Sequence, residues 1–151
     1  MKPLKNFTPD EIEFVFTDLD DTLTTHGKLS PEVYQSLWEL QERNIRVVLI
    51  TGRPAGWCDL LARLWPLDGV IGENGAFYYR HHKTKMHQTY WDSAKLRRQH
   101  QLKLQQLRQV LWHRFPNLKT ASDQSFRSTD LAVDICEDIT PLTDSTVQKV
   151  V

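Results

Sequence analysis

Three short apolar runs alternate with two helical patterns, and this alternation constrains the fold more than any other feature of the chain. The runs are Glu13–Leu19, Ile45–Ile50 and Gly69–Gly72. Each is short, bounded by turn or polar residues and rich in aromatic or β-branched side chains, which reads as a buried strand. Between the first two, Ser30 is a good N-cap, with Pro31 at the first helical position and Glu32 in the first turn. Val33, Leu37 and Leu40 share one face of that helix, which runs to about Arg43 and ends at Asn44. A second helix covers about Ala55–Leu64, and Pro66 closes it. Strand, helix, strand, helix, strand within about 60 residues implies parallel strands joined by right-handed crossovers. The expected class is α/β with a Rossmann-like parallel sheet.

In open sheets of this kind, ligands bind outside the carboxyl ends of the strands. Asp18, Asp20, Thr51 and Asn74 all stand there, delivered by three separate strands. The first strand ends in Asp18-Leu19-Asp20-Asp21-Thr22, three carboxylates within four residues. Like charges this close need a use. One carboxylate can attack phosphorus to form an acyl phosphate, and a second, two residues on, can give its proton to the leaving oxygen. A divalent cation relieves their repulsion and neutralises the phosphate. Phosphoryl transfer is mostly positioning and charge stabilisation, and the hydroxyl and backbone of Thr51-Gly52 are placed to contribute both.

The composition changes after Arg80. Residues 1–79 hold 7 Lys and Arg against 12 Asp and Glu, residues 80–119 hold 10 against Asp92 alone, and residues 120–151 hold 2 against 6. Five of the six His also lie in the middle block. That block is either a unit facing an anionic ligand or a solvated helix face with spare lysines. Met86–Trp91 reads as a strand and Ser93–Phe115 as a long helix, with Leu96, Leu104, Leu107, Leu111 and Phe115 forming a core-facing stripe. Leu118–Ala121 and Leu131–Ile135 read as further strands, and a last helix starts near Asp144. Cys58 and Cys136 do not make a disulfide scaffold. The opening residues lack the apolar core of a secretory signal, and no apolar run approaches the roughly 20 residues of a membrane span. The expectation is a soluble cytoplasmic protein without a membrane partner.

The stretches Asp18-Leu19-Asp20-Asp21-Thr22-Leu23 and Ile50-Thr51-Gly52-Arg53 resemble the first and second motifs of the haloacid dehalogenase (HAD) superfamily of phosphohydrolases. Ile71-Gly72-Glu73-Asn74-Gly75-Ala76 is similar to the subfamily whose α/β cap follows the third core strand, which includes mannosyl-phosphoglycerate and sucrose-phosphate phosphatases. The resemblance covers residues 12–80 well and 81–151 loosely, mainly through Arg127–Asp134. It implies a core over residues 1–80 and a partial cap over 81–151. It implies Asp18 as nucleophile and metal ligand, and Asp20 as general acid and base that also binds the metal through its carbonyl. Thr51, Gly52, Arg53, Asn74 and Arg127 would bind phosphate or substrate. The implied cofactor is Mg²⁺ and the implied substrate a small sugar or polyol phosphate. Asp21 stands where Gly is more often found.

The family's third motif, a Lys, and its fourth, an acidic pair after another core strand, are not matched. Lys83, Lys85 and Lys149 stand at the wrong places, and Asp138-Ile139-Thr140-Pro141 lacks the expected Gly-Asp turn. The chain therefore looks truncated within the cap, with an exposed sheet edge that permits pairing with a second chain. On its own it is expected to bind Mg²⁺ weakly and to turn over slowly or not at all. The alternatives are a phosphosugar mutase of the same fold and a non-catalytic binding module. Nucleic acid is not an expected partner, because the aromatic interleaving used for single strands is missing.

Overall fold

The computed structural model describes residues 12–150. Five strands form one sheet in the order β1 (Phe14–Asp18), β4 (Arg46–Ile50), β5 (Gly69–Gly72), β6 (Phe77–His82) and β7 (Lys85–Tyr90). The pairs β1–β4 and β4–β5 are parallel, as the alternation of strands and helices requires. The pairs β5–β6 and β6–β7 are antiparallel, so the sheet is mixed rather than wholly parallel. The reason is local. A three-residue turn, Glu73–Gly75, returns the chain directly after β5, and a tight turn cannot make the long crossover that parallel pairing needs.

Helix α1 (Pro31–Glu42) starts where its cap dictates, with the Ser30 hydroxyl accepting from the Val33 amide at 3.4 Å. It ends at Asn44, which takes a left-handed φ of 60°. Helix α2 (Ala55–Leu64) follows β4. The two helices meet through Tyr34, whose ring lies edge-on to Trp65 and whose hydroxyl donates to the Leu64 carbonyl. Leu37 of α1 and Cys58 of α2 are buried together with Val47, Leu49, Val70, Phe77 and Tyr79. Right-handed crossovers that advance in one direction along a sheet put both helices on one face. On the other face Phe14 and Phe16 stack on each other at 5.9 Å, the Arg46 guanidinium lies 3.8 Å from the Phe14 ring, and Phe16 stays 61% exposed. β1 is therefore not buried on both sides as its apolar run implies.

Residues 22–29, between the acidic turn and α1, contain a small antiparallel hairpin of β2 (Thr24–Thr25) and β3 (Lys28–Leu29). His26 and Gly27 at its tip both have positive φ, the geometry of a two-residue hairpin turn.

By their contacts the described residues group into two compact units. One holds the chain through Arg53 together with Trp57–Trp91, and the other holds Pro54–Gly56 and the residues from Asp92 onward. Residue 80, where the boundary was expected, falls inside β6. The second unit contains α3 (Ala94–Arg114), β8 (Lys119–Thr120), β9 (Val133–Asp134) and α4 (Asp144–Val150). Ser93 caps α3 by accepting from the Leu96 amide. β8 and β9 pair antiparallel, but each has only two residues, shorter than the apolar runs Leu118–Ala121 and Leu131–Ile135. The leucine stripe of α3 was expected in a core, yet no residue of α3 is buried. Two-residue strands offer too little surface to cover a helix of 21 residues. No helix among the described residues is long and apolar enough to cross a membrane.

Candidate active site

The first unit gathers its polar residues at the carboxyl ends of β1, β4 and β5. The register sets Asp18 opposite Ile50, and Ile50 opposite Ile71, so the three strands end level with one another. Beyond Asp18 the chain turns sharply through Leu19–Leu23. Asp20 is extended there, Asp21 takes a φ of 56°, and the buried Thr24 hydroxyl donates to the Leu19 carbonyl at 3.1 Å. That turn leaves the Asp18 carboxylate exposed, with the Thr22 hydroxyl 3.5 Å from its Oδ2.

Thr51, at the end of β4, is only 2% exposed. Its amide donates to the Ile71 carbonyl, and its Oγ1 accepts from the Arg53 amide at 3.1 Å. Its own carbonyl takes the Asn74 amide at 3.3 Å. Gly52 is a close-approach position: a Cβ there would stand 3.0 Å from the Asn74 Oδ1, so a larger residue would press that side chain away from the backbone. Asn74 has a φ of 57°, as expected for Asn-Gly.

Arg53 ties these pieces together. Its Nε and Nη2 donate to both oxygens of Asp20, the shortest at 2.8 Å, and its guanidinium carbon stands 4.9 Å from the centre of the Trp57 ring. Its backbone carbonyl accepts from the Glu73 amide and from the Cys58 thiol. One residue thus touches the acidic turn, the second strand end and the third. Its side chain is engaged with Asp20 in this structure.

Two features of this rim carry no signal in the sequence. Glu73 is 4% exposed and takes a φ of 44°, so three consecutive residues, Glu73, Asn74 and Gly75, are left-handed. Such strain persists only where surrounding structure enforces it, and it clusters at functional sites. Behind the turn, Tyr79 is buried and shares a 2.8 Å hydroxyl contact with Tyr90. Burial first, then that contact, pushes the Tyr79 hydroxyl well above its ordinary pKa, with the nearby charges of Glu73 and Cys58 adding to it.

Arg127 belongs to the second unit. Its guanidinium is 10% exposed and makes two 2.9 Å bonds to Asp123 and one to Asp130. His81 and His82 lie at the far end of β6, away from the turn that carries Asn74. Among the described residues no three His, Cys, Asp or Glu side chains gather as a metal-binding group. Asp18 and Asp20 nevertheless offer hard oxygen donors, the chemistry Mg²⁺ takes while keeping several waters, so the donor set fits that ion.

A family profile described as haloacid dehalogenase-like hydrolase matches residues 15–147. Among solved structures, a protein from Thermoplasma acidophilum superposes with a TM-score of 0.70 at 16% identity, over 92% of this chain and 55% of that one. A phosphatase of the haloalkanoate (HAD) enzyme superfamily from Bacteroides thetaiotaomicron superposes with a TM-score of 0.50 at 21% identity, over 91% of this chain and 45% of that one. At these identities the likeness is one of fold. The chain spans about half the length of these solved structures. No curated protein matches it. With the profile running from within β1 to within α4, the chain belongs to the haloacid dehalogenase-like hydrolase family.

Proposed function

We propose that the rim serves Mg²⁺-dependent hydrolysis of phosphate monoesters, with small sugar or polyol phosphates as substrates. The observation that supports this is the convergence at one sheet edge of Asp18 and Asp20, the Thr51-Gly52 loop and Asn74, bridged by Arg53. An Asp18 oxygen attacks phosphorus, and the bond from phosphorus to the leaving oxygen breaks. Asp20 gives its proton to that oxygen. A water then attacks the aspartyl phosphate, Asp20 takes the proton back, and phosphate leaves with Asp18 restored. Thr51 and Gly52 position the phosphate, and Asn74 meets the group it is attached to. Asp18 and the Asp20 carbonyl would hold Mg²⁺, which when bound neutralises charge between nucleophile and phosphate.

The test is phosphate release by the 151-residue chain over a panel of sugar phosphates, with and without Mg²⁺, beside Asp18→Asn. Acid-quenched samples are examined by mass spectrometry for a phosphoryl group on Asp18. Slow Mg²⁺-dependent release and a trapped adduct, both lost in Asp18→Asn, are expected. An adduct with isomerised sugar phosphate and no released phosphate would make the protein a mutase. Absence of adduct and release with every substrate would leave the reading without support.

A further inference from the structure

The catalytic rim occupies one end of the sheet, and the other end carries a separate feature. β4 runs from Arg46 to Ile50, so its two ends stand about 13 Å apart at about 3.3 Å per residue. At the amino ends of β4 and β5, beside the far end of β6, lies a cavity of about 500 Å³. That volume falls within the range of small-molecule sites. Its chemistry comes from Arg46, Asp68, Arg80, His81 and His82, with Asn44 at the edge.

Among the described residues Asp68 is the only carboxylate in the lining, and Arg80 holds it at 2.9 Å. Arg46, also in the lining, is oriented by Glu13 at 3.2 Å and by the Phe14 ring, which are not themselves lining residues. Both guanidinium groups are thus oriented by a neighbour through one Nη2. Each has five N–H donors, so donors remain for a ligand. Among the described residues no hydrogen bond or ion pair engages the side chain of His81 or His82. The β6–β7 hairpin continues with Lys83 and Lys85, and the stretch Arg80-His81-His82-Lys83-Thr84-Lys85 contains no acid. Oriented guanidinium forks, with the imidazoles of His81 and His82 in the same lining, match several phosphate oxygens at once. A single phosphate would leave most of 500 Å³ empty. Among the described residues no aromatic side chain lines the cavity, which disfavours the base stacking of single-stranded nucleic acid.

We propose that this cavity is a second ligand site, taking a small molecule that carries two or more phosphate groups. It stands apart from the carboxylate rim and does not depend on the hydrolase reading. The probe is inorganic pyrophosphate, titrated into the whole 151-residue chain and followed by amide chemical shifts. The chain is compared with Asp18→Asn, with Arg80→Gln and with the double variant His81→Asn, His82→Asn. Saturable shifts are expected over residues 44–47, 67–68 and 80–82, unchanged in Asp18→Asn. Arg80→Gln should weaken binding by about tenfold or more, as loss of a charge-assisted hydrogen bond implies. The histidine pair leaves the Asp68–Arg80 contact intact and should also weaken binding, which keeps the test valid if Arg80→Gln folds poorly. Shifts confined to residues 18–22, 51–53 and 73–75, or shifts that never saturate, overturn the proposal. Citrate binding as tightly as pyrophosphate overturns the phosphate assignment. An oligonucleotide whose affinity exceeds that of pyrophosphate and grows with length replaces the small molecule with a nucleic acid.

Discussion

Arg53 grips Asp20 with two nitrogens, at 3.0 and 2.8 Å, across 33 residues of sequence. The two side chains are 23% and 42% exposed, so the pair contributes at most about 1 kcal/mol to stability. Its consequence is orientation. A carboxyl whose two oxygens both accept from one guanidinium has its plane fixed by that guanidinium, with the remaining lone pairs left for other partners. Under the proposed chemistry, Arg53 sets where Asp20 starts from and must let go of it for the proton transfer. Arg53→Lys keeps the charge but loses the fork. Under the proposed chemistry it should lower kcat on the order of tenfold with KM nearly unchanged, and leave the urea midpoint where it was. A raised KM with unaltered kcat would show that Arg53 binds substrate instead.

Arg127 is the opposite case, a cation deep among its partners. Burial works against its charge, and the bonds and charges of Asp123 and Asp130 more than offset that, so its pKa is raised. Removing one member of such a group leaves an uncompensated charge. Arg127→Met should destabilise the protein by about 3–5 kcal/mol in urea unfolding, because Asp123 then stays buried without its guanidinium. Replacing Asp123 by Leu in the same chain should return part of that loss. If Arg127→Met unfolds at the urea concentration of the parent, the cluster is not structural, and substrate contact becomes the better account of Arg127.

Much of this was legible because local chemistry and global fold agree where they do. Ser30-Pro31 starts α1, Pro66 follows α2, and the apolar runs of β4 and β5 end where polar residues begin. From those ends alone, the meeting of Asp18, Thr51 and Asn74 at one edge follows. What stayed hidden depends on partners far away in sequence. Nothing near Glu73 announces a buried, left-handed glutamate, since Glu is ordinarily a surface residue. The Asp20–Arg53 fork joins two turns that no periodicity connects. Leucine spacing identifies one face of α3 but not whether anything covers it. The reversal of β6 is fixed by a three-residue turn whose geometry the Asn-Gly pair only hints at.

Asp134 gives a pH signature. Its carboxylate closes the turn after β9 by accepting from the amides of Cys136, Glu137 and Asp138, at 3.0, 2.8 and 3.0 Å. The Glu137 bond leads in holding its pKa below the usual carboxylate value, with those of Asp138 and Cys136 and the charge of Lys119 helping against burial. Because the folded value is depressed, the unfolded chain takes up the proton first as pH falls. The stabilisation is complete above the unfolded value of about 3.9 and fades as pH drops through the lower folded one. The stability difference between the protein and Asp134→Ala should be flat from pH 7 to about 5 and shrink below about 4. A difference that persists undiminished at pH 3 would contradict the assignment.

Gly72 is required for space rather than for backbone freedom. Its φ of −117° and ψ of 171° suit any residue. A Cβ there, however, would overlap the outer atoms of the Phe77 ring and stand 2.6 Å from the Cys58 sulfur. Phe77 is 2% exposed and Cys58 is 0% exposed, so neither can move aside without disturbing the core. Gly72→Ala should cost about 1–3 kcal/mol in urea unfolding, and Phe77→Leu in the same chain should recover part of it. Gly69→Ala is the control. Its Cβ would meet the Tyr78 ring, which is only half-buried and can swing outward, so its cost should be smaller. Gly72 also precedes the strained Glu73–Gly75 turn, and its carbonyl accepts from the Ala76 amide. Any backbone shift at residue 72 therefore displaces Asn74, and amide chemical shifts at residues 73–76 should change in Gly72→Ala but not in Gly69→Ala. Equal stability losses and equal shifts in the two variants would mean that the contact with Cys58 and Phe77 does not govern the turn.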